Sequence, residues 1–207
     1  MATLGTLRTR IADELQIDAT TFATEIDRAV FSAVDYYNDK DFWFLDATPA
    51  TFILSSTTRY ALNTVLPGRS DIREISVHLT PGKTELLYRT LNEMLSLDFS
   101  EDFTGQPVYW TIDHDQLWVY PSPNQTRTAE VYYTLRRSMT ASASASSVWT
   151  NEAEELIRLH AQVDILENRM KDYSEALRKR GRLAEVAANL DEKTTVRRGN
   201  RRMKPFM

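Results

Sequence analysis

Val108-Tyr109-Trp110-Thr111-Ile112-Asp113-His114-Asp115-Gln116-Leu117-Trp118-Val119-Tyr120 is two short β-rich runs around four polar residues. The flanks are dominated by aromatic and β-branched side chains, which suit a pleated, half-buried surface, whereas Asp tolerates the sharp backbone turn between them. Val108–Ile112 and Leu117–Tyr120 are therefore predicted to pair as a tight hairpin across Asp113–Gln116. Ala129–Leu135, downstream, is a third strand of the same kind. Upstream, Phe42–Leu45, Thr51–Leu54, Arg59–Leu62, Ile72–Leu79 and Glu85–Arg89 are further strand candidates, with turns at Pro49, Pro67-Gly68 and Pro81-Gly82. A short helix over Leu91–Phe99 and an acidic loop over Ser100–Gln106 complete this region.

On either side of the β region the apolar spacing changes from two to three and four. Leu7, Ile11 and Leu15 mark a first helix; Phe22, Ile26, Ala29, Val30, Ala33, Val34 and Tyr37 mark a second. Thr20 or Thr21 is the expected cap of the second, with Glu25 and Asp27 near its positive end. After Ser138–Ser147, an uncharged Ala/Ser connector, helical spacing resumes at Leu156, Leu159, Val163, Leu166, Met170, Tyr173 and Leu177. Asn151 is the expected cap, and a break is expected near Lys171–Ser174, where Asp172 or Ser174 can start another helix running to about Asn189. The predicted class is α+β: a helical bundle of N- and C-terminal helices, an inserted antiparallel β lobe and an extended basic C-terminal tail. The expected boundaries are 1–41 helical, 42–137 β lobe, 138–148 linker, 149–190 helical and 191–207 basic arm.

Charge divides the chain a second way. Lys193 to Met207 holds Lys193, Arg197, Arg198, Arg201, Arg202 and Lys204 and no acid; the rest has nineteen Lys and Arg against 29 Asp and Glu, a net of −10. Such asymmetry reads as an interaction arm on an acidic body. The arm ends Met203-Lys204-Pro205-Phe206-Met207, whose apolar residues suit a protein groove. A hydrophobic content of 42% supports a real core. No cysteine is present, so disulfides, thiolate nucleophiles and Cys-bound metal are excluded. Nothing approaches a membrane span, and the N-terminus lacks a secretory pattern.

Sites for chemistry are few. His78, His114 and His160 are scattered over a strand, a turn and a helix, and Asp113-His114-Asp115 is better explained by turn formation than by metal or acid/base work. Asp98, Glu101 and Asp102 lie in a loop without an apolar pocket; Glu152, Glu154 and Glu155 open a helix, where negative charge offsets the dipole. No phosphate loop, dinucleotide fingerprint, nucleophile elbow or His-Glu-x-x-His helix occurs. No cofactor, metal or catalytic residue is expected. The aromatics of the lobe lack interleaved Lys and Arg, so phosphate contacts would fall to the arm.

Gly105-Gln106-Pro107-Val108-Tyr109-Trp110-Thr111-Ile112, Leu117-Trp118-Val119-Tyr120-Pro121-Ser122-Pro123 and Ala129-Glu130-Val131-Tyr132-Tyr133 together resemble the β region of head-to-tail adaptor (connector) proteins of tailed bacteriophages. Val148-Trp149-Thr150-Asn151-Glu152-Ala153 is similar to the point where that family resumes helix. Leu7–Leu15, the stripe Phe22–Tyr37 and Phe42-Trp43 are similar to its opening helices. The Ala/Ser linker and the arm are not part of the shared pattern. The resemblance implies a non-enzymatic ring, commonly twelvefold, under the portal of a DNA-filled head. Arg197, Arg198, Arg201, Arg202, Lys204 and Phe206 are the candidate portal-docking residues. The implied partners are the portal protein, further tail or nozzle proteins, copies of the same chain and genomic DNA passing without sequence readout, with no membrane. The implied location is the head-tail junction of the virion, after assembly in the host cytoplasm. A DNA-binding virion protein using the basic tail and a tail-associated cell-wall-degrading enzyme are the alternative readings.

Overall fold

A computed structural model describes residues 2–66, 72–97 and 103–198. The Pro67-Gly68 turn, Asp98, Glu101 and Asp102 lie outside the described residues. The chain opens with α1 (Leu4–Leu15), α2 (Ala23–Asn38) and a 3-10 turn (Trp43–Leu45). Next come β1 (Ala50–Leu54), β2 (Arg59–Ala61), α3 (Leu62–Val65), β3 (Ile72–Thr80), β4 (Thr84–Glu85), β5 (Leu87–Tyr88) and α4 (Leu91–Ser96). They are followed by β6 (Thr104–Gly105), β7 (Tyr109–Asp113), β8 (Gln116–Tyr120), β9 (Ser122–Pro123) and β10 (Arg127–Leu135). The last elements are α5 (Val148–Glu152), α6 (Glu154–Ile165), a π-helical turn (Leu166–Met170) and α7 (Tyr173–Arg198). The fold is α+β. Its described residues form two compact units, one of residues 2–45 and 136–198 and one of residues 46–135.

The helical unit joins both ends of the chain. Leu4, Leu7, Ile11, Ile26, Val30, Ala33, Trp149, Leu156, Ile157, Ala161 and Ile165 share one buried cluster, each large apolar side chain contributing roughly 1.5–3 kcal/mol by leaving water. Local chemistry sets the helix ends, though not always as the sequence suggests. Thr3 and Thr6 form a reciprocal capping box on α1. Thr20 and Thr21 do not cap α2; its N-cap is Phe22, without a side-chain bond. Asp18 holds the preceding turn instead, its carboxylate accepting from the Thr21 amide at 2.6 Å. Asn151 likewise lies inside α5, which Ser147 caps with Thr150. The break at Lys171–Ser174 is present: Lys171 adopts a left-handed conformation. The Asp172 carboxylate accepts from the Glu175 amide at 3.1 Å and starts α7.

Two expectations for this unit change. Phe42–Leu45 is not a strand; Phe44 is buried against Trp149 with ring centroids 5.1 Å apart, and Phe42 stacks on Phe44 at 5.3 Å. That packing curls the chain and sends consecutive aromatics to one cluster, whereas a strand would send them to opposite faces. The Ala/Ser connector is not slack either. The carbonyls of Ala143 and Ala145 accept the amides of Gly5 and Leu4 at 2.9 and 3.2 Å, satisfying donors that the first turn of α1 leaves without an intrahelical partner. Met139 of this segment is buried.

The β unit is two four-stranded sheets, in the orders β1-β10-β3-β4 and β2-β8-β7-β5, with a small β6-β9 pair. Inward residues of both sheets, among them Leu54, Val77, Leu79, Trp110, Leu117, Val119, Ala129, Val131 and Tyr133, share a second buried cluster. β10 pairs with β1 and β3 along most of its length. The hairpin of β7 and β8 has Tyr109 opposite Tyr120 and Asp113 opposite Gln116. Its two loop residues, His114 and Asp115, both have positive φ, as a type I′ turn demands. The unit is not wholly antiparallel: β5 pairs with β7 and β6 with β9 in parallel. These are two-residue pairings between segments distant in sequence, which alternation alone does not signal.

Candidate functional site

The C-terminal end of α7 carries the only docking candidates among the described residues, Arg197 and Arg198. Arg201, Arg202, Lys204 and Phe206 lie outside them. Residues 191–198, read from the sequence as part of an extended arm, are helical. Val186, Leu190 and Thr194 of α7 are buried at spacings of four, and Arg198 continues that row by one more turn. Two cations in the last turn also suit the negative end of the helix dipole. Both signals are present in the sequence but are masked by the polarity of Thr194-Thr195.

This end of α7 packs on the segment that follows α2. The hydroxyl of Thr194 donates to the Leu190 carbonyl at 2.7 Å and accepts from the Trp43 amide at 3.4 Å. Arg198 pairs with the Asp41 carboxylate at 2.5 Å and donates to the Phe42 carbonyl at 3.1 Å. Its side chain is only 10% exposed. The Arg197 guanidinium lies over the Trp43 ring, 4.6 Å from its centroid, a cation–π arrangement. The two described arginines thus contact their own chain, and Asp41, Trp43 and Thr194 are functional candidates that sequence reasoning missed.

The groups weighed for chemistry are dispersed. His114 lies in the exposed hairpin loop, its pKa raised by the hydrogen bond its ring donates to the adjacent Asp113 carboxylate, 2.8 Å away, and by that group's charge. His78, on β3, bonds with Ser76 at 3.1 Å and sits edge-on to Tyr132. His160 packs against both the Tyr36 and Tyr37 rings, each 5.2 Å away, and burial lowers its pKa. Glu154 pairs with Arg10 at 3.0 Å and Arg158 at 3.4 Å, and Glu155 with Arg182 at 3.1 Å. Each is thereby committed to an ion pair between or along helices. Among the described residues no group of three or more His, Asp or Glu is placed to hold a metal ion. No helix among them is long and apolar enough to cross a membrane.

A family model described as SU10 adaptor protein matches residues 2–205, both units and most of the segment after α7. The chain belongs to the SU10 adaptor protein family. No curated protein matches it. Membership of the SU10 adaptor family agrees with the bacteriophage-adaptor resemblance of the β region and of the leading helices, and it points to a structural protein. An adaptor family implies association with other phage structural proteins. In this chain the end of α7 combines a fixed helix terminus with the cationic segment that follows it.

Proposed function

We propose that this SU10 adaptor is the head-to-tail adaptor of a tailed bacteriophage. Copies form a ring, commonly twelvefold, that sits beneath the portal, docks on it through the C-terminal segment and joins it to further tail or nozzle proteins. The observation that carries this reading is the placement of α7: its last turn is tied to the body at Trp43 and Asp41. The nine residues that follow Arg198 bring Arg201, Arg202, Lys204 and the apolar Phe206 and Met207.

A heterologous contact between identical copies closes into a ring when its rotation allows. A short basic segment repeated around that ring gains avidity even where each contact is weak. The body, net −10 before residue 193, repels DNA phosphates, which favours passage of the genome without retention. The protein then resides at the head-tail junction of the virion after assembly in the host cytoplasm.

The test is capture of the full chain and of a form ending at Arg198 by purified portal rings. Loss of capture on truncation is expected. Equal capture of both forms would remove the docking role, and salt-sensitive retention of duplex DNA by the full chain without portal capture would favour the DNA-binding reading.

A further inference from the structure

The six docking candidates do not form one set. We infer that Asp41, Trp43 and Arg198 form a clamp at the root of the C-terminal segment, holding the last two turns of α7 folded before any partner arrives. Arg198 is an internal positioning residue, and the charge offered to a partner is that of Arg201, Arg202 and Lys204. The inference rests on the docking role proposed above for its functional consequence, but its structural content stands by itself.

Four contacts support it, and all converge on three consecutive residues. The Trp43 amide donates to Thr194, the Trp43 ring receives Arg197, the Asp41 carboxylate takes one guanidinium nitrogen of Arg198 and the Phe42 carbonyl takes another. A planar guanidinium has the fork geometry to satisfy a carboxylate and a carbonyl at once, which an ammonium does not. At 10% exposure Arg198 is also poorly placed to serve an external partner. A helix end without tertiary contacts frays, and α7 beyond Leu190 has little apolar surface of its own: of residues 191–198 only Thr194 is buried. The clamp supplies the missing contacts. A segment ordered during folding brings a smaller entropic cost to the later docking step, so Asp41 and Trp43 act on docking without touching the partner.

Hydrogen–deuterium exchange of the full chain reads the clamp directly. Asp41→Asn and Arg198→Gln should each speed exchange of amides 194–198 by roughly tenfold, leaving α2 and α6 unchanged. Arg201→Ala/Arg202→Ala should leave that exchange as in the wild type. Fast exchange of residues 194–198 in the wild type, or no change in either clamp variant, overturns the inference. Capture by portal rings then separates the two ideas. Weaker capture of Asp41→Asn, with its Arg201 and Arg202 intact, supports the positioning role, and undiminished capture despite faster exchange overturns it. If portal rings capture no form at all, the docking reading fails and the positioning role with it, while the exchange result decides the clamp. Arg198→Lys, retaining charge without the fork, is expected to behave like Arg198→Gln.

Discussion

The amide of Gly5 donates to the carbonyl oxygen of Ala143 at 2.9 Å, and a Cβ on Gly5 would lie 2.9 Å from that same oxygen. The approach is closer than real Cβ atoms tolerate, and the obstacle is backbone rather than the end of a flexible side chain. Glycine here is required by the connector lying across the first turn of α1.

Gly5→Ala should therefore lower stability by about 1 kcal/mol, although Ala is the better helix former by roughly that amount. Gly181, in the middle of α7, has nothing within 4 Å of where its Cβ would be. Gly181→Ala should raise stability by about 0.5–1 kcal/mol. Urea denaturation of the two variants checks the opposite signs; a gain in both would show that the connector does not hold its place on α1.

Trp149 is fully buried, and its indole N–H donates to the Arg137 carbonyl at 2.6 Å. Trp149→Phe keeps most of the volume but leaves that carbonyl only the longer bond from the Asn38 amide, at 3.3 Å, so a loss of about 1 kcal/mol is expected. Trp149→Ala adds a cavity beside Phe44 and should cost about 3–5 kcal/mol. Thermal unfolding monitored by circular dichroism distinguishes the two.

His160 is kept neutral by burial against Tyr36 and Tyr37, its pKa lowered from the ordinary value of 6.5. The unfolded chain then binds the proton more readily than the folded one, so His160 favours folding above pH 6.5 and loses that contribution as pH falls towards its folded value. His114 acts in the opposite direction: its raised pKa favours the folded hairpin at low pH and the effect fades as pH rises. His160→Gln should flatten the fall in stability on acidification below pH 6.5, and His114→Asn should remove a gain in stability on acidification that falls above pH 6.5. Denaturation midpoints between about pH 7.5 and 5.5 measure both slopes.

Arg201→Ala/Arg202→Ala should weaken capture by portal rings at low salt, with the difference from wild type shrinking as ionic strength approaches about 0.5 M. Phe206→Ala should weaken capture by a factor that salt does not reduce, because an apolar contact is not screened. A salt titration of capture for the two variants separates the parts of the segment. Curves of the same shape would contradict the division of labour.

Elements with a local cause were legible in the sequence. The alternation of Val108–Ile112 and Leu117–Tyr120 around Asp113–Gln116 determines a hairpin, and the stripe Phe22–Tyr37 determines a helix, because both periods follow from backbone geometry alone. Asp172 announces the start of α7 for a similar reason, since its cap bond reaches only to Glu175. Tertiary structure decided the remainder. The 3-10 turn at Trp43–Leu45 depends on an aromatic cluster that includes Trp149. The connector's place depends on α1 having amides to offer. The inward turn of Arg198 depends on the Phe42 carbonyl 156 residues away. A charged side chain near the end of a chain reads as an arm until the fold brings an acid and a carbonyl within its reach, and periodicity, being local, carries no record of that meeting.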